Sequence, residues 1–175
     1  KQSIQRLLIS DLNSDACINT PDIMPTLLAL AGLKRQIPGQ VEGMDLSHLT
    51  RGESGPEPNV AFLMNTGACA IWEDGHEWRA MRDRRYTYAV YRGGGNKNLP
   101  RKEMLFDNLK DPYQMRNLIA NPAHRQTHEK YRAMLASKMD QLNDTFPEST
   151  WYRGRWTDGN RRIVANARGP FKKQG

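Results

Sequence analysis

Cysteine is nearly missing from this chain of 175 residues, which holds only Cys17 and Cys69. Neither stands in a C-x-x-C pair or beside other ligand-type residues, which argues against a cysteine-ligated zinc site. Two buried thiols packed as small apolar groups are the expectation. Long apolar runs are missing too. The longest, residues 23–33, is interrupted by Pro25, Thr26 and Gly32 and falls short of the roughly 20 residues that cross a bilayer. There is no G-x-x-x-x-G-K-[ST] phosphate loop, no G-x-S-x-G elbow and no H-E-x-x-H pair, so none of these three site signatures is carried by the chain. Gly93-Gly94-Gly95 lacks the following helix that would aim backbone N–H groups at a phosphate. The opening residues, Lys1-Gln2-Ser3-Ile4, bring neither a Met nor a signal-peptide core. The expectation is a removed leader or a start inside a longer protein.

What is present has the balance of a folded chain, with 38% hydrophobic and 26% charged residues. The net charge is +7, and part of it is local. Arg153, Arg155, Arg161, Arg162, Arg168, Lys172 and Lys173 in residues 151–175 face a single acid, Asp158. Such a tail favours anionic partners (nucleic acid, anionic lipid or a sulfated polymer), or is simply a solvated chain end.

Along the chain, Leu7, Leu8 and Ile9 read as a short strand. Thr20 then suits an N-cap, Pro21 the first helical position and Asp22 the positive end of the helix dipole. Ile23, Leu27, Leu28 and Leu30 continue the helix, and Gly32 ends it. Residues 34–59 form a Gly- and Pro-containing surface loop in which Val41 to Leu46 packs a few apolar groups. Strands are predicted over Val60–Met64, Trp78–Arg82, Tyr86–Tyr91 and Met104–Phe106, with Arg84-Arg85 linking the second and third as a hairpin. Asp111-Pro112 marks a turn-rich connector. A long helix starts near Asn121-Pro122, runs to about Leu142 and carries the stripe Tyr131, Met134, Leu135, Met139 and Leu142. A small antiparallel sheet of three or four strands packed by a long C-terminal helix is a self-consistent α+β unit. Residues 1–50 do not fit that unit and read as a strand and helix remnant of something larger. The division is therefore 1–50, 51–150 and a basic tail, 151–175.

Three groups invite a chemical reading. His124 and His128 stand at i and i+4, but a metal would need a third ligand, so solvent-facing helix polarity explains them better. Glu103, Asp107 and Asp111 surround a turn, but their spacing is not that of a calcium loop, and Asp before Pro commonly starts a turn. The stretch Trp72-Glu73-Asp74-Gly75-His76-Glu77-Trp78-Arg79 places indoles, an imidazole and a guanidinium about a Gly turn, a set suited to a sugar ring and an anion. His76, Trp78 and Arg79 are the candidate substrate-binding residues. Against this, strand alternation accounts for Trp78 in a core and for Arg79 paired with an acid.

Four segments, in order, resemble the type I sulfatases, with their arylsulfatase and alkaline-phosphatase-like fold. Thr20-Pro21-Asp22-Ile23-Met24-Pro25-Thr26-Leu27-Leu28-Ala29-Leu30-Ala31-Gly32 resembles the family's D-[IL]-x-P-T-L-L-x-L-A-G helix. Val41-Glu42-Gly43-Met44-Asp45-Leu46-Ser47, followed by Arg51-Gly52-Glu53, is similar to the loop after it. Trp78-Arg79-Ala80-Met81-Arg82 with Tyr86-Thr87-Tyr88 is similar to the family's W-R-A-V-R hairpin. Met104-Leu105-Phe106-Asp107-Asn108-Leu109-Lys110-Asp111-Pro112, continuing to Asn117-Leu118, is similar to its E-L-Y-D-L-x-x-D-P-x-E-x-x-N-L signature. The resemblance covers about residues 18–145 and looks closest to bacterial members.

The resemblance implies a parent enzyme that hydrolyses sulfate esters, often on sulfated glycans, in the periplasm or outside the cell. It implies a formylglycine made from the Cys or Ser of C/S-x-P-S-R, and a calcium ion held by Asp and Asn. Cys17 is followed by Ile18-Asn19-Thr20 and Cys69 by Ala70-Ile71-Trp72, so neither matches. The calcium ligands of the family would precede Lys1. No catalytic or metal residue is expected here, and no cofactor; the expected partners are a missing N-terminal sulfatase domain and, through it, sulfated carbohydrate. Nucleic acid and membrane are not expected. The competing reading is a stand-alone binding module for sulfated or other anionic polymers.

Overall fold

The computed structural model describes residues 14–65, 77–94 and 99–146, and the backbone of residues 165–166 and 169–170. The predicted first strand and the side chains of the basic tail lie outside these residues, as does Cys69. The chain divides into two compact units, and residues 82–85 belong to the first although they are remote from it in sequence.

The first unit is built on helix α1, Thr20–Leu30. Its N-cap is Asn19 rather than the predicted Thr20, and the Asp22 carboxylate reaches back to accept the Asn19 N–H at 2.7 Å. At the other end Gly32 takes φ +77°, which only a residue without a Cβ adopts freely. There the Gly32 and Leu33 N–H groups donate to the carbonyls of Ala29 and Leu28, at 3.1 and 2.8 Å, so the final turn is satisfied.

The following loop is lashed along this helix. Met44 N–H donates to Asp22 Oδ1 at 2.8 Å, and Leu46 N–H donates to Thr26 Oγ1 at 3.0 Å. Pro25, inside the helix, has no N–H to offer the carbonyl of Pro21. Gly43 passes against that same carbonyl, where a Cβ would stand 1.9 Å from the oxygen, so no other residue fits.

The lashing inverts the usual burial. Asp22 and Pro25 are buried, while Ile23, Met24 and Leu27 are 51%, 43% and 60% exposed. Ile18 and Met44, also apolar, are exposed as well. Beside them Ile23, Leu27, Leu46 and Leu49 line an open cavity of about 280 Å³. In this unit Cys17 is half-buried, with Sγ 3.3 Å from the Asn59 carbonyl. Burial, reinforced by the Asp83 carboxylate, raises its thiol pKa.

The second unit carries a four-stranded antiparallel sheet in the order β1 (Ala61–Asn65), β2 (Trp78–Arg82), β3 (Tyr86–Tyr91) and β4 (Lys102–Asp107). Two of these coincide with the predicted spans, and the other two differ by one or two residues at their ends. In the β3–β4 register Tyr86 faces Asp107, Tyr88 faces Leu105 and Val90 faces Glu103. β3 is the spine, with Thr87 to Val90 all buried, which is why its sequence is apolar and aromatic throughout. One of its faces meets helix α2, Arg125–Gln141, where Tyr86 and Tyr131 approach to 5.7 Å between ring centroids. On the other face Thr87 Oγ1 accepts bonds from Asn108 Nδ2 and Gln114 Nε2, drawn in by the turn after β4. Of the predicted stripe on α2, Tyr131 and Leu135 are fully buried, and the remaining positions are half-covered. A further antiparallel pair, β5 (Ala165–Asn166) and β6 (Gly169–Pro170), lies within the basic segment.

Candidate functional site

His76 and residues 72–75 lie outside the described residues. The structure does describe how the flanks of that segment are held. Trp78, half-buried, opens β2, and strand alternation turns Arg79 to the other face, where it is 2% exposed. Arg79 Nη1 donates to the carbonyl of Asn65 at 3.0 Å and to that of Trp78 at 3.1 Å. One guanidinium thereby joins the two ends of the segment between β1 and β2. Nε and Nη2 of the same group donate to the two carboxylate oxygens of Asp144, and Phe146 lies 4.7 Å beneath Cζ. Glu77, 1% exposed, presents its carbonyl to the Arg92 N–H at 2.8 Å. Arg92 in turn donates through Nε to the Phe146 carbonyl at 3.0 Å.

Asp144 reaches Arg79 because of how α2 ends. Asn143 adopts φ 51°, a left-handed conformation that Asn tolerates better than most residues. The Asn143 and Asp144 N–H groups donate to the carbonyls of Asp140 and Met139, closing the helix and turning Asp144 back. Arg79, together with the Phe146 N–H, holds the Asp144 carboxyl below the usual range, against the opposing effect of burial.

A second polar group joins α2 to the sheet. Tyr88 O–H donates to Glu103 Oε2 at 2.8 Å, and His128 Nε2 lies 2.9 Å from the same oxygen, with its ring 5.5 Å from that of Tyr88. Burial pushes the Glu103 carboxyl up, but His128, Tyr88 and the nearby Arg132 outweigh it and hold the pKa below its ordinary value. Burial first, and the hydrogen bond to Glu103 second, raise the pKa of Tyr88. The expectation that His124 and His128 both face solvent is thus corrected. His128 is inside this network, and His124 is half-buried with its edge toward Tyr86. Four-residue spacing put both on one face, but only the tertiary packing made that face an inner one.

The three carboxylates considered for calcium are occupied separately. Asp111 accepts the Met115 and Arg116 N–H groups at 3.0 and 2.7 Å, Asp107 accepts that of Leu109, and Glu103 serves Tyr88 and His128. Among the described residues no group of three or more His, Cys, Asp or Glu is placed to hold a metal ion.

Several carboxyls therefore titrate low, and the consequence for stability has a definite sign. Burial is the largest single influence on Asp45 and pushes it up, but Lys34 and Ser47 together outweigh it and bring it down to about 2. Glu103 and Asp144 are lowered from 4.5 and 3.8. A native state with lower carboxyl pKa values binds fewer protons than the unfolded chain, so stability is full above the unfolded values and drains as pH falls. The melting temperature should hold above about pH 5 and decline from there toward about pH 2. The decline should be shallower in Glu103→Gln, and an identical slope in that variant would remove Glu103 from the account.

No family model matches the sequence. The chain is 36% identical over 138 residues to an ulvan-active sulfatase of Formosa agariphila, a match that takes in 79% of this chain. This chain is a sulfatase C-terminal portion. It is also 31% identical over 151 residues to an endo-4-O-sulfatase of Bacteroides thetaiotaomicron, again over 79% of its length. A solved 2-O GAG sulfatase superposes on 71% of the chain with a TM-score of 0.56 and 26% identity. The chain spans about a quarter of each of these sulfatases, 25%, 27% and 25% of their lengths. The described residues do not fit the calcium ion or the formylglycine that the sulfatase resemblance implies, since no ligand set is gathered and Cys17 lacks the C-x-P-S-R context.

Proposed function

We propose that this chain serves as the C-terminal subdomain of a sulfatase acting on sulfated glycans, with calcium and formylglycine held by sulfatase sequence outside it. The observation that carries the reading is the 36% identity over 138 residues to an enzyme of which those residues are about a quarter. The exposed apolar face of α1 supports it, because a face bearing Ile23, Met24 and Leu27 is suited to a protein partner. The segment before β2 is the part of this chain proposed to touch sugar. His76 would hydrogen-bond a hydroxyl or a sulfate oxygen, and Trp78 would support it. Arg79 acts there indirectly, since its donors hold the ends of the segment.

The test is hydrolysis of a chromogenic aryl sulfate with and without calcium. The purified chain should show no turnover, while the chain joined to the remaining three quarters of a related sulfatase should show it. Calcium-dependent, saturable hydrolysis by the chain alone would overturn the reading. A C/S-x-P-S-R sequence in the coding region upstream of Lys1 would decide between this reading and a stand-alone module for anionic polymers.

A further inference from the structure

The second unit holds a cavity of about 420 Å³ between the C-terminal half of α2 and the β3–β4 sheet. That volume falls among small-molecule sites, which run from about 300 to 1,000 Å³. Its walls mix apolar side chains of Val90, Leu135 and Phe146 with the charged side chains of Arg101, Arg132 and Asp140. Among the described residues the two guanidinium groups are poorly neutralised. Arg101 has one ion contact there, a loose one to Glu103 at 3.8 Å, with more than half of its side chain exposed. Arg132 forms no ion pair among the described residues, although it acts electrostatically on Glu103 and Tyr88. Of the two acids that line the cavity, Asp144 is committed to Arg79, and Asp140 forms no ion pair with either arginine among the described residues.

We infer that this cavity is a binding site for an anionic sugar unit, separate from the segment between β1 and β2. Arg101 and Arg132 engage the sulfate or carboxylate, for which a planar fork of donors is well matched. Asp140 accepts a sugar hydroxyl, and the apolar wall receives the ring face. The inference rests on the sulfated-glycan reading for the class of polymer, but its residues and its test are independent of turnover.

The test is calorimetric titration of the 175-residue chain with three tetrasaccharides: sulfated, uronic-acid-containing but unsulfated, and neutral. The first should bind and the third should not, and the second reports whether carboxylate alone suffices. The double variant Arg101→Ala/Arg132→Ala should lose about tenfold or more in affinity, the scale of a lost charge-assisted bond. Arg161→Ala/Arg162→Ala removes the same charge from the tail and should change affinity far less. Equal losses in the two doubles, or no binding of either anionic sugar, would overturn the site. If the joined enzyme turns over sulfate while Arg101→Ala/Arg132→Ala binds like the parent chain, this inference alone fails. If the site binds as described and the joined enzyme never turns over, the functional reading fails instead.

Discussion

Asp144→Ala should cost the chain about 3–5 kcal/mol of unfolding free energy, the range for removing one partner of a buried ion pair. The reason is Arg79. It is 2% exposed, and the carboxylate is what neutralises it. Without Asp144, Arg79 keeps its bonds to the Asn65 and Trp78 carbonyls but remains a buried cation with two unsatisfied donors. The loss should also reach the end of α2, where Asp144 Oδ1 accepts the Phe146 N–H at 2.9 Å. Arg79→Met with Asp144→Leu should cost much less than the two single changes added together, because the pair is then replaced by apolar groups. Urea unfolding of the four chains measures the coupling directly. Additive losses would mean that the two side chains do not act as a pair.

Ile23→Lys with Leu27→Lys should abolish self-association of the isolated chain while leaving its folding stability almost unchanged. Both side chains are more than half exposed, so their replacement removes little buried area from this chain and should shift stability by no more than about 0.5 kcal/mol each. Fully covered by a partner, each would contribute roughly 1.5–3 kcal/mol. At high concentration, without the rest of a sulfatase, another copy is the available cover. Sedimentation velocity should therefore show concentration-dependent association for the parent chain and a monomer for the double variant. A parent chain that is already a compact monomer, with slow amide exchange over residues 20–33, would show that α1 needs no partner. In the joined enzyme the same two substitutions should be costly, which separates a docking face from an inert one.

Much of the fold was legible in advance, because its signals are local. The Pro21 start and Gly32 stop of α1, the alternation in Trp78–Arg82 and the dense aromatic run of β3 each act within one element. The N-cap shifted by one residue, from Thr20 to Asn19, because the Asp22 carboxylate reaches the Asn19 N–H. The resemblance to the sulfatases was legible for a similar reason. Its four segments carry residues, such as Asp22, Gly43 and Asp111, whose contacts hold the backbone of turns and helix ends.

The partners of the polar side chains were not legible. Arg79 and Asp144 are 65 positions apart, and neither has a sequence neighbourhood that points to the other. They meet because β2 and the end of α2 converge, and because Asn143 tolerates a left-handed turn. Glu103, an acid beside a turn in sequence, became the shared acceptor of Tyr88 and His128 once α2 lay on the sheet. The sequence by itself determined the two α-helices and the four strands of the larger sheet, the absence of the C-x-P-S-R context and the family. Those depend on residue type and spacing over a few positions. Which charges are buried, which are paired and which two arginines are left beside a cavity was decided by tertiary structure alone, because a charge is neutralised by whatever packing brings within about 4 Å of it, at any separation along the chain.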